Sequence, residues 1–170
     1  MKILLCIDDI KNSSNKSITE KIARYIVKNI MYNKYGTSEE ITRHKLFVNK
    51  SITYDSSNTS TCIKADVIED NYMDVIKDAE DIIKENASEY SNPGICVIME
   101  DKLINKDEII EYGLKVKSQV VTKTELFSLA LRSGIYLKER GGTGIGIIGA
   151  FAGAALRLSG NDGEVVEEES

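Results

Sequence analysis

Positive charge is what this chain most lacks. Its 27 acidic residues outnumber 22 lysines and arginines, for a net charge of −5 over 170 residues. That balance gives no general attraction to nucleic acid or anionic membranes, so direct nucleic-acid binding by the chain alone is not expected. Its longest apolar run, Ile145 to Leu156, falls well short of the ~20 residues a membrane span needs. The apolar start, Met1 to Ile7, runs straight into Asp8 and Asp9 and is too short for the core of a secretory leader. There is one histidine, His44, flanked by Arg43 and Lys45, which reads as a surface residue rather than a ligand. Cys6, Cys62 and Cys96 have no metal-ligand spacing. They are expected as buried thiols in a reducing compartment, which points to the cytoplasm.

What remains is ordinary for a globular protein: 42% hydrophobic and 29% charged residues, enough for one domain with a sizeable core. We expect an α/β fold over residues 1–166, with an acidic frayed tail at 167–170. The order of segments predicts a mixed central sheet of about five to six strands and about five flanking helices. Lys2 to Ile7 is continuously apolar and reads as a central strand buried on both faces, as does Ile95 to Met99. Arg43 to Val48 and Thr61 to Ile68 read as an antiparallel pair joined by a long Ser/Thr/Asn-rich loop, and loops of that length tend to be functional. Ile18, Ile22, Ile26 and Ile30 mark an amphipathic helix after a Ser17-to-Glu20 capping box. A second helix starts at Asn71 and a third at Asn105 with Leu114 inward, both with helical apolar spacing; a fourth opens on a Thr122-to-Glu125 capping box and stops at Gly134.

Two features suggest chemistry. Residues 140–150 read RGGTGIGIIGA, with four glycines in the six positions 141–146, and lead into an apolar helix. Glycine is conformationally costly, and clusters before a helix bring backbone N–H groups to an anion. The same residues also describe a tight turn and a small-residue helix packed closely on a sheet. Gly144, Gly146 and Gly149 have dinucleotide-fingerprint spacing, but the second strand and downstream acid of a nicotinamide-binding unit are missing. Asp8 and Asp9 end the first strand, where a carboxylate pair is suited to Mg²⁺ or caps a solvated turn. Glu100 ends the second apolar strand; with the two strands parallel, it would join them.

Four stretches resemble the N-terminal domain of archaeal tRNA-isoleucine agmatinylcytidine synthetases and their shorter bacterial relatives. They are Ile7 to Asp9, Asn49 to Tyr54 with Asn58 and Ser60, Asn92 to Gly94 before the strand ending at Glu100, and Gly141 to Ala150. The resemblance implies an ATP-binding domain that hydrolyses ATP, phosphorylates itself on a threonine and phosphorylates a tRNA cytidine. Positioning and charge neutralisation supply most of such catalysis. The chain departs from the family where a further threonine, aspartate and serine follow the paired aspartates; Ile10, Lys11 and Asn12 stand there. In an ungapped register the family's threonine pair falls on Ile18 and Thr19.

The expected site therefore has Asp8, Asp9 and Thr19 as catalytic residues, and Asp8, Asp9 and Glu100 on Mg²⁺. ATP or another phosphorylated ligand would lie against Asn49, Asn58, Arg140, Gly141, Gly142, Thr143, Gly144 and Gly146. A separate protein carrying tRNA-binding domains is the expected partner. The alternative is a catalytically degenerate module that senses a small molecule or binds a partner.

Overall fold

The computed structural model describes residues 1–46 and 58–167. Its centre is β1 (Lys2–Asp8), whose apolar run is buried on both faces as expected. Flanking it are β4 (Thr59–Val67) and β5 (Gly94–Met99). Outside these lie β3 (Thr42–Lys45) and β6 (Tyr136–Glu139), with β7 (Glu164–Val165) on β3 and the short β2 (Gly36–Ser38) on β4.

Every strand pairing among the described residues is antiparallel, where a mixed sheet was expected. An apolar run reports burial of both faces but not strand direction. Here β4 and β5 both run against β1, which lies between them. The consequence is local and decisive: Ile3 faces Met99 and Asp8 faces Gly94, so the acids that end β1 and β5 lie at opposite ends of the sheet.

Alternation along β1 divides the core. Ile3, Leu5 and Ile7 face α1 (Thr19–Tyr32) and α2 (Tyr72–Asn86), while Leu4 and Cys6 face the other layer. That layer holds α3 (Lys106–Ser118), α4 (Lys123–Ser133) and α5 (Gly146–Ser159). The capping box at Thr122 and Glu125 forms and the helix stops on a left-handed Gly134, as the sequence predicts. The box expected at Ser17 does not form: the residue capping α1 is Ile18, which makes no side-chain cap bond. Leu114 is exposed, and Gly113 faces inward instead, where an added Cβ would lie 2.6 Å from Ala155 Cβ.

His44 is fully buried rather than on the surface. The turn at 160–163 covers it: Asp162 bonds its Nδ1 at 2.8 Å and Thr42 Oγ1 its Nε2 at 2.8 Å. Lys117 also pairs with Asp162, and Arg157 donates to Thr42. Burial pushes the His44 pKa below its ordinary value, outweighing the pull of Asp162. The Asp162 carboxyl is raised by burial, but its bonds to Lys117 and His44 hold it below the usual range. Neutral His44 is thus the folded form, and the folded state binds fewer protons there than the unfolded chain. Stability from this site is complete above about pH 6.5, the free imidazole value, and falls as pH drops below it. Between pH 7.5 and 5 the thermal midpoint should fall, ahead of any loss from Asp162, which belongs below about pH 4. His44→Gln should start lower at pH 7.5 and lack this step.

Candidate functional site

The carboxyl end of β1 meets the start of α5. Gly146 lies so close to the strand ends that a Cβ there would stand 2.6 Å from Asn92 O and 2.8 Å from Asp8 O. One turn on, the Asp8 carboxylate fills the space a Gly149 Cβ would need, with Oδ2 1.7 Å from that point. The first aspartate and the glycine segment therefore share one corner of the molecule.

Asp9 meets Asp8 through its backbone N–H, which donates to Asp8 Oδ1 at 2.7 Å. It takes a left-handed φ of 60° and pairs with Lys11 Nζ at 3.4 Å. Glu100 follows Met99, which stands opposite Ile3, five residues of β1 or roughly 17 Å from Asp8 at strand rise; Glu100 is thereby removed from any shared metal site. Among the described residues no three His, Cys, Asp or Glu side chains gather as a metal site. Mg²⁺ is commonly held by one or two carboxylates together with substrate phosphates. Asp8 thus fits a cation shared with a polyphosphate, not a cation held by the protein alone.

The glycine segment uses most of its own donors. Thr143 N–H bonds Asn92 Oδ1 at 2.9 Å, Ile145 N–H bonds Thr143 Oγ1 at 3.3 Å, and Gly144 and Gly146 donate to Gly141 O and Asn92 O. Ile147 and Ile148 donate to Gly144 O and Ile145 O. Gly144 and Gly146 therefore do not present N–H groups to a ligand as expected. Among the described residues, Gly141 and Gly142 make no such bond and remain as donors. Thr143 contributes its hydroxyl to the turn itself.

Arg140 points elsewhere. It extends β6 on the α2 side, pairs with Glu80 and donates to Tyr136 Oη at 3.1 Å. Lys123, at the start of α4, supplies the cation beside the loop: its Nζ donates to Thr143 O at 2.7 Å and pairs with Glu139. Asn92 joins both halves of the corner, since its N–H donates to Asp9 O at 3.1 Å while its two oxygens hold Thr143 and Gly146. Asn92 belongs to a sequence motif that does not by itself imply this role. Lys123 carries no local pattern that distinguishes it from other surface lysines.

Thr19 is buried, with its hydroxyl accepting the Ile10 N–H at 3.2 Å and donating to Ile10 O. It stitches the turn after Asp9 to α1 and is not an open nucleophile. Asn58 is also buried and donates to Leu46 O at 3.0 Å, closing the stem between the end of β3 and the start of β4. That stem is at the Asp8 end of β4, since Thr61 faces Ile7. Asn49 and Tyr54 lie outside the described residues.

No protein-family profile and no curated protein matches the chain. Solved structures do. One is apo TiaS, a tRNA agmatidine synthetase, at a TM-score of 0.75 and 19% identity over 91% of this chain and 35% of that one. Another is the complex of TiaS with tRNA and ATP, at 0.76 and 20% identity over 91% and 36%. A tRNA fluorescent labelling enzyme matches at 0.75 and 21% over 91% and 36%. The likeness establishes a shared fold, and this chain spans about a third of the length of those proteins. No described helix is long and apolar enough to cross a membrane.

The two close glycine contacts predict different costs. Gly146→Ala meets only backbone and should lower stability by about 1–3 kcal/mol. Gly149→Ala meets a side chain that can rotate, so it should cost less while displacing the Asp8 carboxylate. Urea unfolding of the two variants measures the difference.

Proposed function

We propose that the chain is a nucleotide-binding module that holds the phosphates of Mg²⁺-ATP between Asp8 and the glycine segment. The observation carrying this reading is the corner where the Asp8 carboxylate lies against α5 at Gly149. A fold neighbour solved with ATP adds support. Gly141 and Gly142 N–H groups would donate to phosphate oxygens, Lys123 would add a nearby positive charge, and Asn92 would hold the loop in shape. Asp8 alone would repel a polyphosphate, so its place there requires a divalent cation between them. Bound there, Mg²⁺ would neutralise phosphate charge. With a separate chain supplying tRNA-binding domains, the module would serve phosphoryl transfer in tRNA modification.

A second reading is favoured by Thr19 and by the bonds that close the glycine segment. Both spend groups that a phosphotransferase of the resembled kind would use. On this reading the module binds a nucleotide without turning it over, as a sensor or a partner-binding domain.

Calorimetric titration with ATP in Mg²⁺, followed by an assay for ADP release, separates the two. Saturable ATP binding is expected, with no comparable uptake of NAD. Asp8→Asn should weaken binding in Mg²⁺ about tenfold, or ~1.4 kcal/mol, and have little effect in EDTA. Turnover abolished by Asp8→Asn supports the enzyme; tight binding without ADP release supports the sensor. Absence of ATP binding in both conditions rejects the assignment.

A further inference from the structure

Three cysteines occupy one row across the middle of the sheet. Cys6 on β1 stands opposite Cys62 on β4 and, on its other flank, opposite Cys96 on β5. All three are fully buried on the α5 side. Cys6 and Cys62 form a disulfide, and Cys96 is a free thiol; the expectation of three separate thiols is corrected accordingly.

The Cα atoms of Cys6 and Cys62 are 4.1 Å apart, the close, non-hydrogen-bonded kind of antiparallel pair. A strand residue that makes the close pair with one neighbour makes the wide pair with the other, at about 5.5 Å. That separation is within disulfide reach. Cys62 and Cys96 stand on opposite flanks of β1, roughly 10 Å apart by strand spacing, beyond what a disulfide spans. We propose that Cys6 is the common partner of two mutually exclusive disulfides, with Cys62 in the closed sheet and with Cys96 once the sheet beneath α5 opens.

The exchange is balanced within the chain. The Cys96 thiolate attacks Cys6 Sγ, the Cys6–Cys62 bond breaks, and Cys62 leaves as a thiolate that takes up the proton Cys96 released. The closed fold holds the reaction off. Burial pushes the Cys96 thiol far above its ordinary value, and a protonated thiol does not attack. Gly153 of α5 overlies the row, with the position of a Cβ there 3.7 Å from Cys6 Sγ, so lifting α5 exposes the sulfurs. The switch moves the cross-link from one flank of β1 to the other, two residues before Asp8 on the same face.

Disulfide mapping needs no nucleotide and tests this independently of ATP binding. The full chain, purified without reductant, is held in guanidinium below its unfolding midpoint, acid-quenched, alkylated and mapped by peptide mass spectrometry. The native chain should show Cys6–Cys62 alone, and incubation should add Cys6–Cys96 with Cys62 alkylated. Cys62→Ser treated with glutathione disulfide should form Cys6–Cys96, and Cys6→Ser should form no internal disulfide. A Cys62–Cys96 bond in any chain overturns the proposal, as does wild-type protein that never forms Cys6–Cys96. The wild-type arm decides even if Cys62→Ser does not fold, which circular dichroism reports.

Discussion

The structure depends on how closely α5 can approach the sheet. Gly146, Gly149 and Gly153 form one edge of that helix, and each occupies a place where a side chain would collide with backbone or with Asp8 or Ser60. The helix can therefore lie directly on β1, β4 and β5 and bury nearly its whole surface. Close packing of this kind gains dispersion contacts along the whole interface. It also brings the first turn of α5 against Asp8. A glycine-rich sequence before a helix has two explanations, close packing and anion binding, and here the first belongs to Gly146, Gly149 and Gly153, while the proposed anion donors are Gly141 and Gly142.

The neighbours of that contact follow from strand geometry. Consecutive residues of a strand face opposite ways, so Asp8 turns toward α5 and the chain leaves the strand at Asp9 in a left-handed turn. Two adjacent aspartates thus become one carboxylate beside the glycine segment and one ion-pair partner for Lys11. The alternation along β6 acts similarly: Glu139 lies under Gly144, and Arg140 reaches the opposite face and Glu80.

Elements defined by local pattern were legible in the sequence: the buried β1 and β5, the apolar stripes of α1 and α2, the capping box at Thr122, and the stop at Gly134. Strand direction was not, because a fully buried strand presents the same apolar run in either orientation; Glu100 was misplaced for that reason alone. His44 was misread because its cover, Asp162, lies 118 positions later, and flanking charges say nothing about such a contact. The paired cysteines were missed on the same ground, since strand register and not sequence spacing sets them opposite one another. The corner joining Asp8 to the glycine segment was legible because each half carried its own signal. Its details, Asn92 and Lys123, emerge only from the folded arrangement.

The donors of the glycine segment decide how that corner could bind an anion. A loop with every N–H unpaired would offer more bonds to phosphate but would have to be ordered by the ligand, and that ordering reduces affinity. In this chain Asn92 and the loop's own carbonyls and hydroxyl fix its shape beforehand, leaving Gly141 and Gly142 as the donors. Fewer contacts on a rigid frame favour recognition of a small part of a ligand, such as one phosphate, over enclosure of a triphosphate chain. On the proposed reading, a cation shared with Asp8 would then carry much of the remaining charge compensation.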